Sequence, residues 1–281
     1  MLSLSRALLS EAKREKLTYW WLEVGAATLS VGVSLVPWAK VAAGLAIVSI
    51  AVKVSAKLKL SVSRRLFRQG ERARRYDFYT RTLGWAVPPA QRADLALSQF
   101  PTMIQQRARA LATSEVDYYS HSGPPSPRRL LCNLAESMFW SERLMAAMSR
   151  ARWAQVAAAT VAVVLVLIGT VVVQPGGSLE VLRFLGSAVT LLVAIDVLGE
   201  AQAFERGERE IGKLLSAVTG VMAQTELSRD EGMRLLTEYN CLLADLPLLP
   251  DRIYERMKAA LNAAWTEYQA GLPGGCGKSK E

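Results

Sequence analysis

The chain has 281 residues, enough for one or two soluble domains, but 51% of them are hydrophobic and these are gathered into a few long runs, which argues against a soluble globule. The net charge of +9 is uneven: residues 53–152 hold 18 Lys/Arg against 7 Asp/Glu, whereas residues 200–281 hold 10 against 13. A basic block beside apolar runs faces anionic headgroups, an anionic ligand, or both.

In chain order, residues 1–16 form a cytoplasmic N-terminal segment with Arg6, Lys13, Arg14 and Lys16. No signal-peptide cleavage site follows the first apolar run, which therefore reads as an anchor rather than a removed leader. Residues 17–56 are expected as transmembrane hairpin 1. Leu17 to Val36 is apolar apart from Glu23, with Tyr19, Trp20 and Trp21 as an interfacial belt. Pro37-Trp38-Ala39-Lys40 reads as a tight turn, and the short run Val41 to Val52 spans if it continues to Ala56 with Lys53 snorkelling.

Residues 57–152 read as a basic helical cytoplasmic module. A helix without proline leaves hairpin 1 and runs to Thr82, with Lys53, Lys57, Arg64, Arg68, Arg72 and Arg75 along one face and Tyr76 and Tyr79 at its end. Pro88-Pro89 opens a short helix towards Phe100, and Pro101 another to Ala112. The proline-rich stretch His121 to Pro127 is a loop, and a helix from Arg128 runs on into the third span.

Residues 153–199 are expected as hairpin 2. Trp153 to Val173 is uncharged and long enough to cross about 30 Å of hydrocarbon. Gln174 to Ser178 breaks it, and Val181 to Gly199 returns with Arg183 and Asp196. Residues 200–270 form cytoplasmic helices: a charged continuation with a Glu205–Arg209 pair, a helix opened by the capping box Ser228 to Glu231, and a last helix from Asp251 to Ala270 after Pro247 and Pro250. Residues 271–281 read as a disordered tail. The fold class is thus an all-α membrane protein with four transmembrane helices in two hairpins. The Lys/Arg asymmetry puts both termini and the central module in the cytoplasm.

Chemistry is sparse. Cys132, Cys241 and Cys276 are odd in number and widely spaced, with neither a disulfide framework nor a zinc spacing, and fit a reducing compartment. His121 is the only histidine, and no metal or cofactor is expected. Gly277-Lys278-Ser279 lacks the first glycine of a phosphate loop, since Leu272 stands there, and no helix follows. No dinucleotide turn or nucleophile elbow is present, so an enzyme is not expected. Glu23 and Asp196 are costly at membrane depth and are candidate pore-lining residues, or they form helix–helix hydrogen bonds. The basic stripe is either a lipid-facing face or a phosphate site with stacking aromatics.

The order of features resembles the SMODS-associated four-transmembrane effectors of bacterial nucleotide-signalling antiphage systems. The resemblance is carried by Arg75-Tyr76-Asp77, Leu83-Gly84-Trp85 with Pro88, Asp117-Tyr118-Tyr119-Ser120, Cys132-Asn133 with Trp140 and Leu144, and Pro247-Leu248-Leu249-Pro250-Asp251-Arg252-Ile253-Tyr254. Tyr76 and Tyr118 depart from the Phe and Trp expected there, and Leu242 to Leu246 lacks an expected basic residue. The resemblance implies a non-enzymatic effector of the bacterial inner membrane that works with a nucleotidyltransferase or nucleotide cyclase. It would bind a cyclic mono- or oligonucleotide, assemble as a homo-oligomer in the lipid bilayer and permeabilise it, arresting growth.

For such a ligand the candidate nucleotide-binding residues are Arg68, Arg72, Arg75, Tyr76 and Tyr79, with Arg128 and Arg129 closing the site. The alternatives are a small ion channel or transporter using Glu23 and Asp196, and a membrane scaffold acting through its acidic C-terminal helices.

Overall fold

The computed structural model describes residues 2–35, 38–90, 93, 100–112, 119–121, 123–173 and 197–276. Among them are seven helices and no strand: α1 (Leu2–Leu35), α2 (Ala39–Leu83), α3 (Thr102–Ala112), α4 (Pro127–Val173), α5 (Val197–Met222), α6 (Arg229–Asp245) and α7 (Asp251–Ala270). The all-α class is as expected.

Local chemistry sets several helix ends. Ser228 caps α6, its side chain accepting from the Glu231 backbone N–H, which removes one of the orphan donors of the first turn. Pro250 precedes α7 in extended conformation. Gly84 closes α2 at a φ of 69°, a left-handed conformation glycine adopts without a Cβ penalty. The expected N-terminal segment and first apolar run form one helix, α1, because neither proline nor glycine divides Leu2 from Tyr19. The expected turn at Pro37 to Lys40 is shorter than predicted, since Ala39 already belongs to α2. The helix expected after Pro88-Pro89, residues Asp117 and Tyr118, and the return run with Arg183 and Asp196 fall wholly or largely outside the described residues.

The chain divides into two units, one of residues 1–13, 65–148 and 203–281, the other of residues 14–64 and 149–202. The first unit is a helical bundle. Its core takes Leu130, Leu131, Leu134, Met138, Met145 and Met148 from α4 and Phe204, Ile211, Leu215, Val218 and Met222 from α5, spacings that put each set on one helical face. Leu235, Leu236 and Tyr239 of α6 and Leu261 and Trp265 of α7 complete it. A smaller cluster joins Ala7, Leu8 and Ala12 to Leu66 and Ile104, where Ser5 Oγ donates to the Gly70 carbonyl at 2.9 Å.

In the second unit α1 and α2 meet through small side chains. Ala26, Ala27 and Ala56 are buried, and Ser49 Oγ lies 3.0 Å from the Ala26 carbonyl and 2.9 Å from Ser30 Oγ. Ion pairs tie the same unit together. Glu200 of α5 holds Lys16 of α1 at 2.9 Å and Arg152 of α4 at 2.7 Å, and Lys59 meets Glu15 at 2.9 Å.

The outer faces of this unit are apolar. Among the described residues, the exposed large hydrophobic side chains other than Trp85 and Met103 belong to it, including Trp21, Ile47, Ile50, Val54, Leu165 and Ile168. An apolar surface of that extent marks a contact with lipid or protein. Among the described residues one helix, α2, is long and apolar enough to cross a membrane.

Candidate functional site: an arginine–tyrosine cleft

In the first unit α2, α4 and α6 enclose a small cleft. Arg74, Arg75, Phe78 and Tyr79 line it from α2, Leu134 and Ser137 from α4, and Leu236, Tyr239 and Asn240 from α6. The helical period explains the α2 contribution. Phe78 and Thr82 are buried, and residues three and four positions before Phe78 share its face, which brings Arg74 and Arg75 to the margin of the core.

The two arginines differ. Arg74 donates from Nε and Nη2 to the Glu71 carboxylate at 3.1 and 2.9 Å, so its charge is matched on its own helix. Arg75 uses Nε for the Glu71 backbone carbonyl at 3.4 Å, and no carboxylate pairs with it among the described residues. Its positive charge therefore acts on the cleft. Tyr79 senses it: burial pushes the phenol above its ordinary value, with the charge of Arg75 opposing and Tyr76 adding to the rise.

The far wall is fixed by hydrogen bonds. Tyr239 Oη donates to the Ser137 carbonyl at 3.1 Å and lies 2.7 Å from Ser141 Oγ. The cavity measures about 10 Å³, room for a single water molecule. Pockets that take drug-sized ligands measure roughly 300 Å³ or more, so a nucleotide enters only if the helices part.

Of the expected nucleotide-binding residues, Arg75 and Tyr79 come together here, while Arg68, Arg72, Tyr76, Arg128 and Arg129 are not in the lining. Arg68 shares the face of Arg75 but stands two turns away, about 10 Å along the axis, and Arg72 is rotated towards solvent. The guanidinium of Arg128 instead donates to the Pro273 carbonyl. Arg74, Ser137, Tyr239 and Asn240 went unrecognised in the sequence. Ser137, Tyr239 and Asn240 lie on helices distant in the chain, and no local spacing marks them.

A second polar cluster lies in the same unit. The Ser120 backbone N–H and Oγ both donate to Glu136 Oε2, at 2.9 and 2.8 Å, and Trp265 Nε1 donates to Ser120 Oγ at 2.9 Å. Burial raises the Glu136 carboxyl above its ordinary range, and the two Ser120 bonds oppose the rise. Asn133, one turn earlier on α4, is fully buried, and its side-chain oxygen and nitrogen have no hydrogen-bond partner among the described residues.

Cys132 and Cys276 form a disulfide with Cα atoms 5.6 Å apart, and Cys241 is free and exposed. This corrects the expectation of three isolated thiols. The partners are 144 residues apart, so sequence spacing carries no sign of the pair. Residues 271–276, expected as disordered, turn back on the core, and Leu272 and Cys276 are buried.

Of the two candidate pore residues, Glu23 is buried and forms an ion pair with Lys57, while Asp196 lies outside the described residues. Comparisons with protein-family models, with curated proteins and with solved structures found no match. The fold and site define the class only: an all-α protein with, among the described residues, one helix able to cross a membrane and a basic, aromatic cleft in its helical bundle.

Proposed function

We propose that the chain is a ligand-gated membrane effector of an antiphage nucleotide-signalling system. Its helical bundle receives a cyclic mono- or oligonucleotide made by a partner nucleotidyltransferase or nucleotide cyclase, and several copies then assemble and permeabilise the inner membrane. The observation that carries the reading is the continuity of α2. One uninterrupted helix bears the membrane-crossing apolar run and, further along, Arg75 and Tyr79 of the cleft.

A cyclic nucleotide is an anion with a flat base. A guanidinium free of carboxylate partners supplies charge-assisted bonds to phosphate, and tyrosine supplies a stacking surface. Tyr79 already faces Trp85 with ring centroids 5.8 Å apart. Trp140 and Tyr254, two residues that carry the family resemblance, lie 5.6 Å apart in the same unit.

We further propose four spans in two hairpins, with both termini and the bundle cytoplasmic. The exposed Val161, Val164, Leu165 and Ile168 of α4 support a lipid-facing third span, and the Lys/Arg distribution supports the orientation. Reporter fusions at residue 110 and at the C-terminus should both read cytoplasmic, and a periplasmic signal from either refutes the topology.

The functional test is dye release from liposomes carrying the purified chain, against a panel of cyclic mono- and oligonucleotides. One nucleotide should trigger release, and Arg75→Ala should weaken its binding by about tenfold or more, the worth of one charge-assisted hydrogen bond. Arg72→Ala should leave it nearly unchanged. No release with any nucleotide overturns the proposal, and equal affinity in Arg75→Ala moves the receptor site away from the cleft.

A further inference from the structure

We propose that Cys132 and Cys276 form a reversible redox latch that fastens the segment after α7 onto α4. Three attachments hold that segment: the disulfide itself, the buried side chain of Leu272, and the Arg128 guanidinium bonded to the Pro273 carbonyl. Gly274 and Gly275 both take positive φ, 71° and 68°, which lets the chain turn sharply back to reach Cys132. Arg128 packs where a side chain at 274 would stand, so the turn is closed over it.

Both cysteines are almost completely buried, so a reductant reaches them only when the segment lifts. They belong to the unit proposed above as cytoplasmic. There the glutathione and thioredoxin systems keep thiols reduced, and the disulfides that do occur are mostly transient or redox-sensing.

The chemistry balances in both directions. A peroxide takes two electrons from the thiol pair, the S–S bond forms, and two water molecules leave for each hydrogen peroxide consumed. A dithiol reductant returns two electrons and two protons, the S–S bond breaks, and the reductant becomes its own disulfide. In the oxidised form Arg128 is committed to Pro273. Reduction frees the segment and with it this guanidinium for an anion; that consequence rests on the nucleotide binding proposed above, whereas the latch rests only on the cytoplasmic location proposed there.

The test has two arms, both on the full chain with Cys241→Ser to prevent thiol exchange. In the first, growing cells are acid-quenched and their free thiols blocked before and after hydrogen peroxide, and the linked peptide is measured by mass spectrometry. Conversion from mostly dithiol to mostly disulfide is expected, and a pair that stays in one state throughout overturns the latch. In the second, amide exchange is followed over residues 272–276 in purified protein with and without dithiothreitol. Reduction should accelerate exchange there by at least tenfold while the α4–α5 core stays protected, and Cys276→Ser should match the reduced chain. Unchanged protection in the reduced parent overturns the proposal even if the variant fails to fold. Nucleotide affinity compared between the two redox states tests only the coupling to Arg128.

Discussion

Glu23 of α1 and Lys57 of α2 form an ion pair at 3.6 Å in which the carboxylate is nearly enclosed and the ammonium is mostly exposed. Lys57 also stands 5.7 Å from the centre of the Tyr19 ring. The acid that stands out in the first apolar run thus has a cation on the neighbouring helix. The partner was not legible beforehand, because residues 34 apart in sequence meet only once the two helices are packed.

Replacing Lys57 with Met should lower thermal stability modestly, by about 1 kcal/mol, since an exposed partner is screened by water. Lys57→Met combined with Glu23→Gln should restore most of the loss, because the stranded charge is gone. Melting curves of the two singles and the double give the coupling. Strict additivity would show that the pair contributes nothing, and Glu23 would again be a candidate for the pore wall.

Glu200 is the keystone of a second contact, its two oxygens divided between Lys16 and Arg152. All three side chains are about three-quarters buried or more, so the interaction is less screened than a surface pair. Glu200→Gln should destabilise the chain by about 1–3 kcal/mol and increase protease cutting near residue 200. Glu210→Gln, whose ion pair with Lys213 at 2.7 Å is exposed, should change stability by less than about 0.5 kcal/mol. Equal effects from the two would refute the distinction.

How much was readable in the sequence follows the range of the signal. The ends of α3, α6 and α7 rest on prolines and a serine cap within a few residues of the boundary, and they stand where the spacing put them. The long helix α2 follows from an absence of breakers, and the Glu205–Arg209 pair from a four-residue step. The cleft is different. The stripe from Arg68 to Tyr79 marks a helix face but not how far along it the bundle begins, and Arg72 falls on the wet side while Arg75 meets α6. The Cys132–Cys276 bond is the extreme case, fixed by the path of the whole bundle and by nothing near either cysteine.

Gly207 of α5 tests the packing of the bundle. A Cβ there would stand 2.8 and 2.9 Å from the methyl carbons of Leu246, a buried side chain. Gly207→Ala gains about 1 kcal/mol of helix propensity and costs about 1–3 kcal/mol of overpacking, so a small net loss is expected. Trimming the neighbour with Leu246→Ala in the same chain should cost less than the sum of the two changes. A variant at Gly207 that is more stable than the parent would show that Leu246 moves aside freely.

Glu136 makes stability depend on pH with a definite sign. Its carboxyl is partly buried, and its neighbours one turn away on α4, Cys132, Asn133, Phe139 and Trp140, carry no charge. Opposite it, Ser120 donates two hydrogen bonds and Trp265 meets that serine, again without charge. The folded state therefore holds the proton more tightly than the unfolded chain, whose glutamate titrates near 4.5. The stabilisation from this group is complete below that value and is lost as pH rises through the raised folded value, so the unfolding free energy falls with increasing pH across that interval. Glu136→Gln keeps the shape and one acceptor oxygen but cannot ionise. Denaturant unfolding of parent and variant at a series of pH values should show this part of the slope in the parent only, with the variant equally stable or more so at neutral pH. Parallel profiles would mean that Glu136 stays ionised in the fold, its charge carried by the two Ser120 bonds alone.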